Sequence, residues 1–174
     1  LYLEVIHGRY EKPQEVLDAI SKASSSDITP LFQKIYSAPI SEQVIGQSIS
    51  NIKNSNATCA VSITPQNTKR IAPAAVEAGA DILVVQSTVT TARHVSRSYK
   101  GLIFSELCKQ FKIPVIVGNS VGFNTALELM ETGISGLLVG VGPGAACTSR
   151  EVLGIGVPQI TATLECAAAR DEYV

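Results

Sequence analysis

Charge is scarce in this sequence. Only 17% of the 174 residues are charged and the formal net charge is −1, which provides neither a broad basic surface for nucleic acid nor an acidic tail to repel it. Long apolar runs are missing too. Stretches such as 113–117 fall far below the ~18 residues of a membrane span, so no membrane partner is expected. The four cysteines, at 59, 108, 147 and 166, show no C-x-x-C spacing, and His7 stands far from His94; both facts argue against zinc and against a disulfide framework. No signal peptide precedes the first strand-like residues, and a reducing cytoplasm is the expected compartment. What the chain does have is apolar residue, 45% of the total with mean hydropathy +0.23. That suffices for one domain with a hydrophobic core and excludes a disordered chain. Small neutral ligands or phosphates suit such a protein. The sequence opens at Leu1 inside the apolar run Leu1-Tyr-Leu-Glu-Val-Ile6, which reads as a fragment with upstream sequence missing.

From residue 57 onward short β-branched runs alternate with helical patterns, the signature of parallel β/α units. Strands are predicted at 58–63, 81–85, 113–117 and 136–141. Helices are predicted at 68–78, with Gly79 as the stop, and at 102–111 and 124–131. Gly118-Asn119 is read as the end of the third strand. A polar segment with Thr88, Thr90, Thr91 and Ser96 follows the second. Apolar residues stand at consecutive strand positions, which predicts burial on both faces. The first 56 residues are less regular: a strand end at 1–6, a helix at 13–21, a turn at Ser24-Ser-Ser26 and a helix at 41–52. About five strands fit, whereas an eight-stranded barrel takes roughly 200 to 250 residues. The sequence therefore reads as an incomplete α/β fold, a partial barrel or a doubly wound sheet.

Ligands in such folds sit at the C-terminal ends of the strands. Four segments are predicted to share that mouth: Thr64-Pro65, Gln86-Ser87-Thr88, Gly118-Asn119-Ser120 and the loop from Gly140 to Ser149. In the last, Gly140, Gly142 and Gly144 alternate, which frees the backbone for positive φ and close approach to a ligand. Amide groups turned inward would suit a phosphate, carbonyls a monovalent cation, and a purely structural turn is an equal alternative. Cys147 follows with Thr148, Ser149 and Arg150; a cation and helix amides nearby would lower its pKa. Cys59, Cys108 and Cys166 lie in strand or helix patterns and read as small buried hydrophobes, whereas Cys147 is either that or a reactive thiol. Asn119, Gln86 and Ser87 are ligand contacts or turn caps. Arg150 and His94 read as a surface charge and a loop histidine.

The stretch Val139-Gly-Val-Gly-Pro-Gly-Ala-Ala-Cys-Thr-Ser-Arg-Glu-Val-Leu-Gly-Ile-Gly-Val-Pro-Gln-Ile-Thr-Ala162 closely resembles the active-site loop of the IMP dehydrogenase and GMP reductase family. Gly118-Asn119 and Ala80-Asp-Ile-Leu-Val-Val-Gln-Ser87 resemble the two preceding strands of that family, in the same order and spacing. The resemblance covers nearly the whole chain and implies a partial (β/α)8 TIM barrel, about strands 2 to 6, filling residues 1–174. Strand 1, strands 7 and 8 and the mobile flap would lie outside it. Only residues 7–57 separate strands 2 and 3, too few for the family's paired CBS modules. The chain thus looks like the compact branch known from cyanobacteria and actinobacteria, which its ending, Glu165-Cys-Ala-Ala-Ala-Arg-Asp-Glu-Tyr173, also resembles.

By that resemblance Cys147 would attack C2 of IMP, hydride would leave to NAD, and water would release XMP from the thioimidate, a step of guanine nucleotide synthesis. The backbone of Gly142, Gly144 and Cys147 is similar to the family's potassium loop. Ser149 matches a hydroxyl beside the attacking water, and Ser87, Gly118, Asn119 and Gly140 match positions lining the substrate and cofactor site. Gln86 stands where the dehydrogenases place an aspartate on the cofactor ribose, and Ala145 where many members have a serine on the substrate phosphate; backbone amides can serve there instead. The family's Asp-Gly-Gly segment and Arg-Tyr flap would fall beyond Val174, so the fragment alone is expected to be inactive. The resemblance further implies a cytoplasmic homotetramer. GMP reductase with NADPH, a non-catalytic purine-nucleotide-binding relative, and another phosphate-binding barrel are the alternatives; 157–162 leans toward the dehydrogenase.

Overall fold

Valine, isoleucine and leucine dominate four short segments, and those segments pair. The computed structural model describes residues 1–93 and 101–174, so His94 and Ser96 of the sequence reading lie outside the described residues. Strands β1 (Ala60–Ile63), β2 (Ile82–Gln86), β3 (Val115–Ser120) and β4 (Gly136–Val139) form one parallel sheet in the order β1-β2-β3-β4. Beside β1 the chain start adds an isolated parallel bridge. Tyr2 bridges to Ser62 in parallel, with Leu3 N–H donating to Ser62 O at 3.0 Å and Ser62 N–H to Leu1 O at 2.8 Å. This is the expected α/β architecture, a run of consecutive parallel strands with a helix in every crossover.

Helices α4 (Pro65–Glu77), α5 (Phe104–Gln110) and α6 (Phe123–Glu131) make those crossovers, and α3 (Glu42–Lys53) precedes β1. Ser41 caps α3 by accepting Val44 N–H at 3.3 Å, which satisfies one of the unpaired amides of the first turn. Gly79, at φ +100°, lets the chain leave α4 toward β2. Helices α1 (Pro13–Lys22) and α2 (Ile28–Ser37) form an outer pair in which only Ile35 is buried. After β4 come α7 (Ser149–Leu153) and α8 (Gln159–Tyr173), and the buried Cys166 and Ala169 of α8 pack with Ala126 of α6.

The expectation of burial on both sheet faces is corrected. Val61, Ile63, Leu83, Val85, Val115 and Val117 are buried against Ile45, Ile49, Ile71, Ala75, Phe104 and Leu107 of the helices. Residues between them, Ala60, Ser62, Ile82, Val84 and Ile116, are half-exposed. Their face would be the interior of a barrel, and four strands do not close around it. Strand β3 also differs from expectation. It runs through Gly118-Asn119 to Ser120 by shifting register against β4, so that Gly118 pairs with Leu138 and Ser120 with Val139. At the opposite, N-terminal end of the sheet Lys53 Nζ reaches both Asp81 oxygens at 2.6 and 2.8 Å, and Asp81 also accepts Cys59 N–H at 2.7 Å.

Candidate active site

The C-terminal strand ends are tied into one rim. Ser87 N–H donates to Gly118 O at 2.9 Å and Asn119 N–H to Ser87 O at 3.2 Å, joining β2 to β3 beyond their last ladder pair. Thr90, buried in the loop after β2, donates its hydroxyl to Gly118 O at 2.6 Å and its amide to Asn119 O at 2.9 Å. The Asn119 side chain then crosses to β4, with Nδ2 donating to Gly140 O at 2.9 Å, while Gly140 N–H donates to Ser120 O at 3.0 Å. Of the four segments expected to share this mouth, those after β2, β3 and β4 are therefore directly hydrogen-bonded in series. Pro65 faces only the segment after β2, across a cavity of about 170 Å³ lined by Pro65, Gln66, Ser87, Val89, Thr90 and Thr91, among others. Gln86 ends β2 half-buried, and Ala145 lies exposed in the glycine loop.

Glu4 was not singled out by the sequence reading. A lone acid within an apolar run carries no pattern of its own, yet this carboxylate is buried. It accepts Thr64 N–H at 2.5 Å, the Thr64 hydroxyl at 3.0 Å and Asn67 Nδ2. Negative charge at the start of α4 is favourable because the first-turn amides carry partial positive charge. Gln159 was missed as well. Its Nε2 donates to Val139 O at 3.3 Å, and its Oε1 lies where a Cβ on Gly140 would come within 2.5 Å.

The loop itself behaves as two of its glycines require. Gly140 and Gly142 take φ of +126° and +59°. Gly144 does not adopt positive φ, and a Cβ there would meet nothing within 4 Å, so it does not use the freedom that the alternation offers. Gly142 is closely surrounded: a Cβ would stand 3.2 Å from Ser149 Cβ, 3.3 Å from Ile155 O and 3.7 Å from Cys147 Sγ. The loop folds back on itself through Cys147 N–H to Gly144 O and Val157 N–H to Val141 O, both 3.0 Å.

Cys147 is half-buried, with Sγ 3.3 Å from Ser149 Oγ. The Ser149 hydroxyl, then the Ser149 backbone amide, favour the thiolate, and the Arg150 charge adds to them, so the thiol lies below its ordinary pKa. Burial pushes the other three thiols, Cys59, Cys108 and Cys166, upward. Cys147 alone combines access with a stabilised anion, the condition for a nucleophilic cysteine. Among the described residues no cluster of His, Cys, Asp and Glu could hold a metal ion, and no helix is long and apolar enough to cross a membrane.

Known proteins resemble this chain in sequence and fold. The model of the IMP dehydrogenase / GMP reductase domain matches residues 6–174. An oxidoreductase of Mycolicibacterium smegmatis, described only as uncharacterized, is 34% identical over 177 residues, which cover 98% of this chain and 47% of that protein. The inosine-5′-monophosphate dehydrogenase of Cryptosporidium parvum is 41% identical over 98 residues, covering 56% of this chain and 23% of that one. The crystal structure of an IMP dehydrogenase/GMP reductase-like protein from Corynebacterium glutamicum superposes with a TM-score of 0.85 at 32% identity, over 99% of this chain and 46% of that chain. The chain thus spans about half the length of the relatives that match it end to end. With its parallel strands in barrel order and its thiol on the loop after β4, it belongs to the IMP dehydrogenase / GMP reductase family, a family of oxidoreductases built on the TIM barrel.

Proposed function

We propose that the complete polypeptide carrying this chain oxidises IMP to XMP with NAD, using Cys147 as nucleophile. The observation that carries the reading is the Cys147–Ser149 pair, the lowered thiol at the end of a glycine loop. The thiolate adds to C2 of the purine, and the C2 hydrogen departs with its electron pair. Water then adds to C2 of the resulting thioimidate, the C2–S bond breaks, and Cys147 regains its thiol as XMP leaves. The net change consumes IMP, NAD and water and yields XMP, NADH and a proton. When bound, NAD supplies the hydride acceptor.

In this scheme Ser149 stabilises the Cys147 thiolate before attack and holds the incoming water afterwards. Gly118, Asn119 and Gly140 line the substrate side, and Gln86 and Ser87 the cofactor side. The cavity beside Ser87, about 170 Å³, is smaller than the roughly 300–1,000 Å³ of complete ligand sites and would take part of a cofactor. The amides around Ala145 serve the substrate phosphate. The carbonyls of Gly142, Gly144 and Cys147, hard neutral donors, would hold a potassium ion. The Gly144 carbonyl accepts one hydrogen bond from Cys147 and retains a second lone pair. Such an ion would brace the loop that presents the thiol. A cytoplasmic homotetramer is the assembly this reading carries.

The test is a paired assay of the complete polypeptide, IMP with NAD against GMP with NADPH. Oxidation of IMP that disappears in Cys147→Ala is the expected outcome. Activity only on GMP would place the protein in the reductase branch, and nucleotide binding without turnover would make it a non-catalytic relative.

A further inference from the structure

Thr90 sits in the polar segment after β2, and the proposed chemistry gives it no part. It is only 5% exposed, although hydroxyl groups in loops are ordinarily solvated. Its hydroxyl donates to Gly118 O at 2.6 Å and stands 3.0 Å from Ser87 Oγ, which in turn reaches Val89 O at 2.6 Å. Its amide donates to Asn119 O at 2.9 Å. One residue thus holds two consecutive carbonyls of β3, at the point where that strand shifts register against β4. Asn119, the residue so held, has its side chain on Gly140 O, and two residues later Gly142 packs near Cys147 Sγ. Gly118 has no room to move toward β4, because Leu138 Cβ and O already lie 2.5 and 2.7 Å from where a Cβ would stand. The dipeptide is therefore clamped between Leu138 on one side and Thr90 with Ser87 on the other.

We propose that Thr90 is a positioning residue that acts through Asn119: it fixes the Gly118-Asn119 dipeptide so that the Asn119 amide holds Gly140, the origin of the loop carrying Cys147. The proposal rests on the functional reading above for the role of Cys147. It also gives the loop after β2 a second task besides facing the cofactor, namely coupling that side of the mouth to the nucleophile loop. Buried hydrogen-bonded networks of this kind hold one arrangement because each member leaves a partner unsatisfied when it departs.

Thr90→Val keeps the shape and removes the hydroxyl, whereas Thr90→Ser keeps the hydroxyl. In the complete polypeptide Thr90→Val should lower kcat for IMP oxidation roughly 10- to 100-fold, the cost of a small misplacement of a reacting group. Thr90→Ser should restore activity to within about twofold of the parent. The deciding comparison is Thr90→Val, Asn119→Ala and the double variant. If Thr90 acts through Asn119, the double variant is no slower than Asn119→Ala; losses that multiply to within about twofold, as independent sites do, would overturn the proposal. The same proteins are compared by the rate at which iodoacetamide alkylates Cys147, read on its peptide by mass spectrometry. Thr90→Val and Asn119→Ala should each slow alkylation, and together slow it no further. That readout needs no turnover, so failure to oxidise IMP counts against the proposed function, while unchanged or multiplying alkylation rates count against the coupling.

Discussion

Replacing Gly142 and Gly144 by alanine, one at a time, separates two glycines that look equivalent in the sequence. At Gly142 the backbone sits at φ +59°, a region that costs an L-residue roughly 1–2 kcal/mol. The new methyl would also press on Ser149 Cβ at 3.2 Å and Ile155 O at 3.3 Å, so the neighbours must yield, and Ser149 is the group that stabilises the Cys147 thiolate. A penalty of one or two kcal/mol shifts a local equilibrium by about 5- to 30-fold. Gly142→Ala is therefore expected to lose about that factor in IMP oxidation by the complete polypeptide. At Gly144 a methyl would meet nothing within 4 Å and no positive φ opposes it. Gly144→Ala should change activity by no more than about twofold. Initial rates at saturating IMP and NAD measure both. Equal losses in the two variants, or an unaffected Gly142→Ala, would refute the reasoning that the loop lacks room at Gly142 and has it at Gly144.

Other consequences follow from single contacts. Cys147 should react with iodoacetamide at lower pH than Cys108, whose thiol burial pushes upward. Ser149→Ala should move the Cys147 profile to higher pH, as peptide-resolved alkylation across a pH series would show. Asp81 is held below the ordinary carboxylate pKa by Lys53 first and the Cys59 amide second. A depressed folded-state pKa adds stability above the unfolded value and loses it as pH falls through the folded one. Asp81→Asn should accordingly be less stable than the parent near neutrality and equal to it in acid below the folded-state pKa of Asp81, by chemical denaturation at each pH. Leu83 is fully buried in β2, and Leu83→Ala should cost about 2–5 kcal/mol of stability in the same measurement. Glu4→Ala leaves Thr64 N–H, the Thr64 hydroxyl and Asn67 Nδ2 without their shared acceptor and should cost at least about 1.5–3 kcal/mol, the range for one hydrogen bond to a charged group.

Local patterns carried most of the β/α half of the chain. The predicted helix at 102–111 appears as Phe104–Gln110 and that at 124–131 as Phe123–Glu131, because their apolar period and stop signals are local. Helix α2 was not read from the sequence. Pro30 stands within its first turn, where the missing amide removes no helical hydrogen bond; in the sequence the same proline, after Ser24-Ser-Ser26, resembles a loop. The apolar runs of the strands suggested two buried faces, since composition does not reveal how far a sheet closes. At the site, Cys147, Ser149 and the glycines were legible because they lie within one loop. Thr90, Glu4 and Gln159 were not, because their partners stand 28, 60 and 20 residues away and a hydroxyl, an acid or an amide carries no periodic signal of its own. Alternation offers Gly140, Gly142 and Gly144 the same freedom, and the backbone takes positive φ only at the first two.

The nucleophile can be caught in the act. Acid quenching of the complete polypeptide during turnover with IMP and NAD, followed by digestion and mass spectrometry, should place a purine nucleotide adduct on the peptide containing Cys147 and on no other cysteine peptide. An adduct on Cys59, Cys108 or Cys166, or undiminished conversion of IMP to XMP by the Cys147→Ala protein, would contradict the assignment of Cys147.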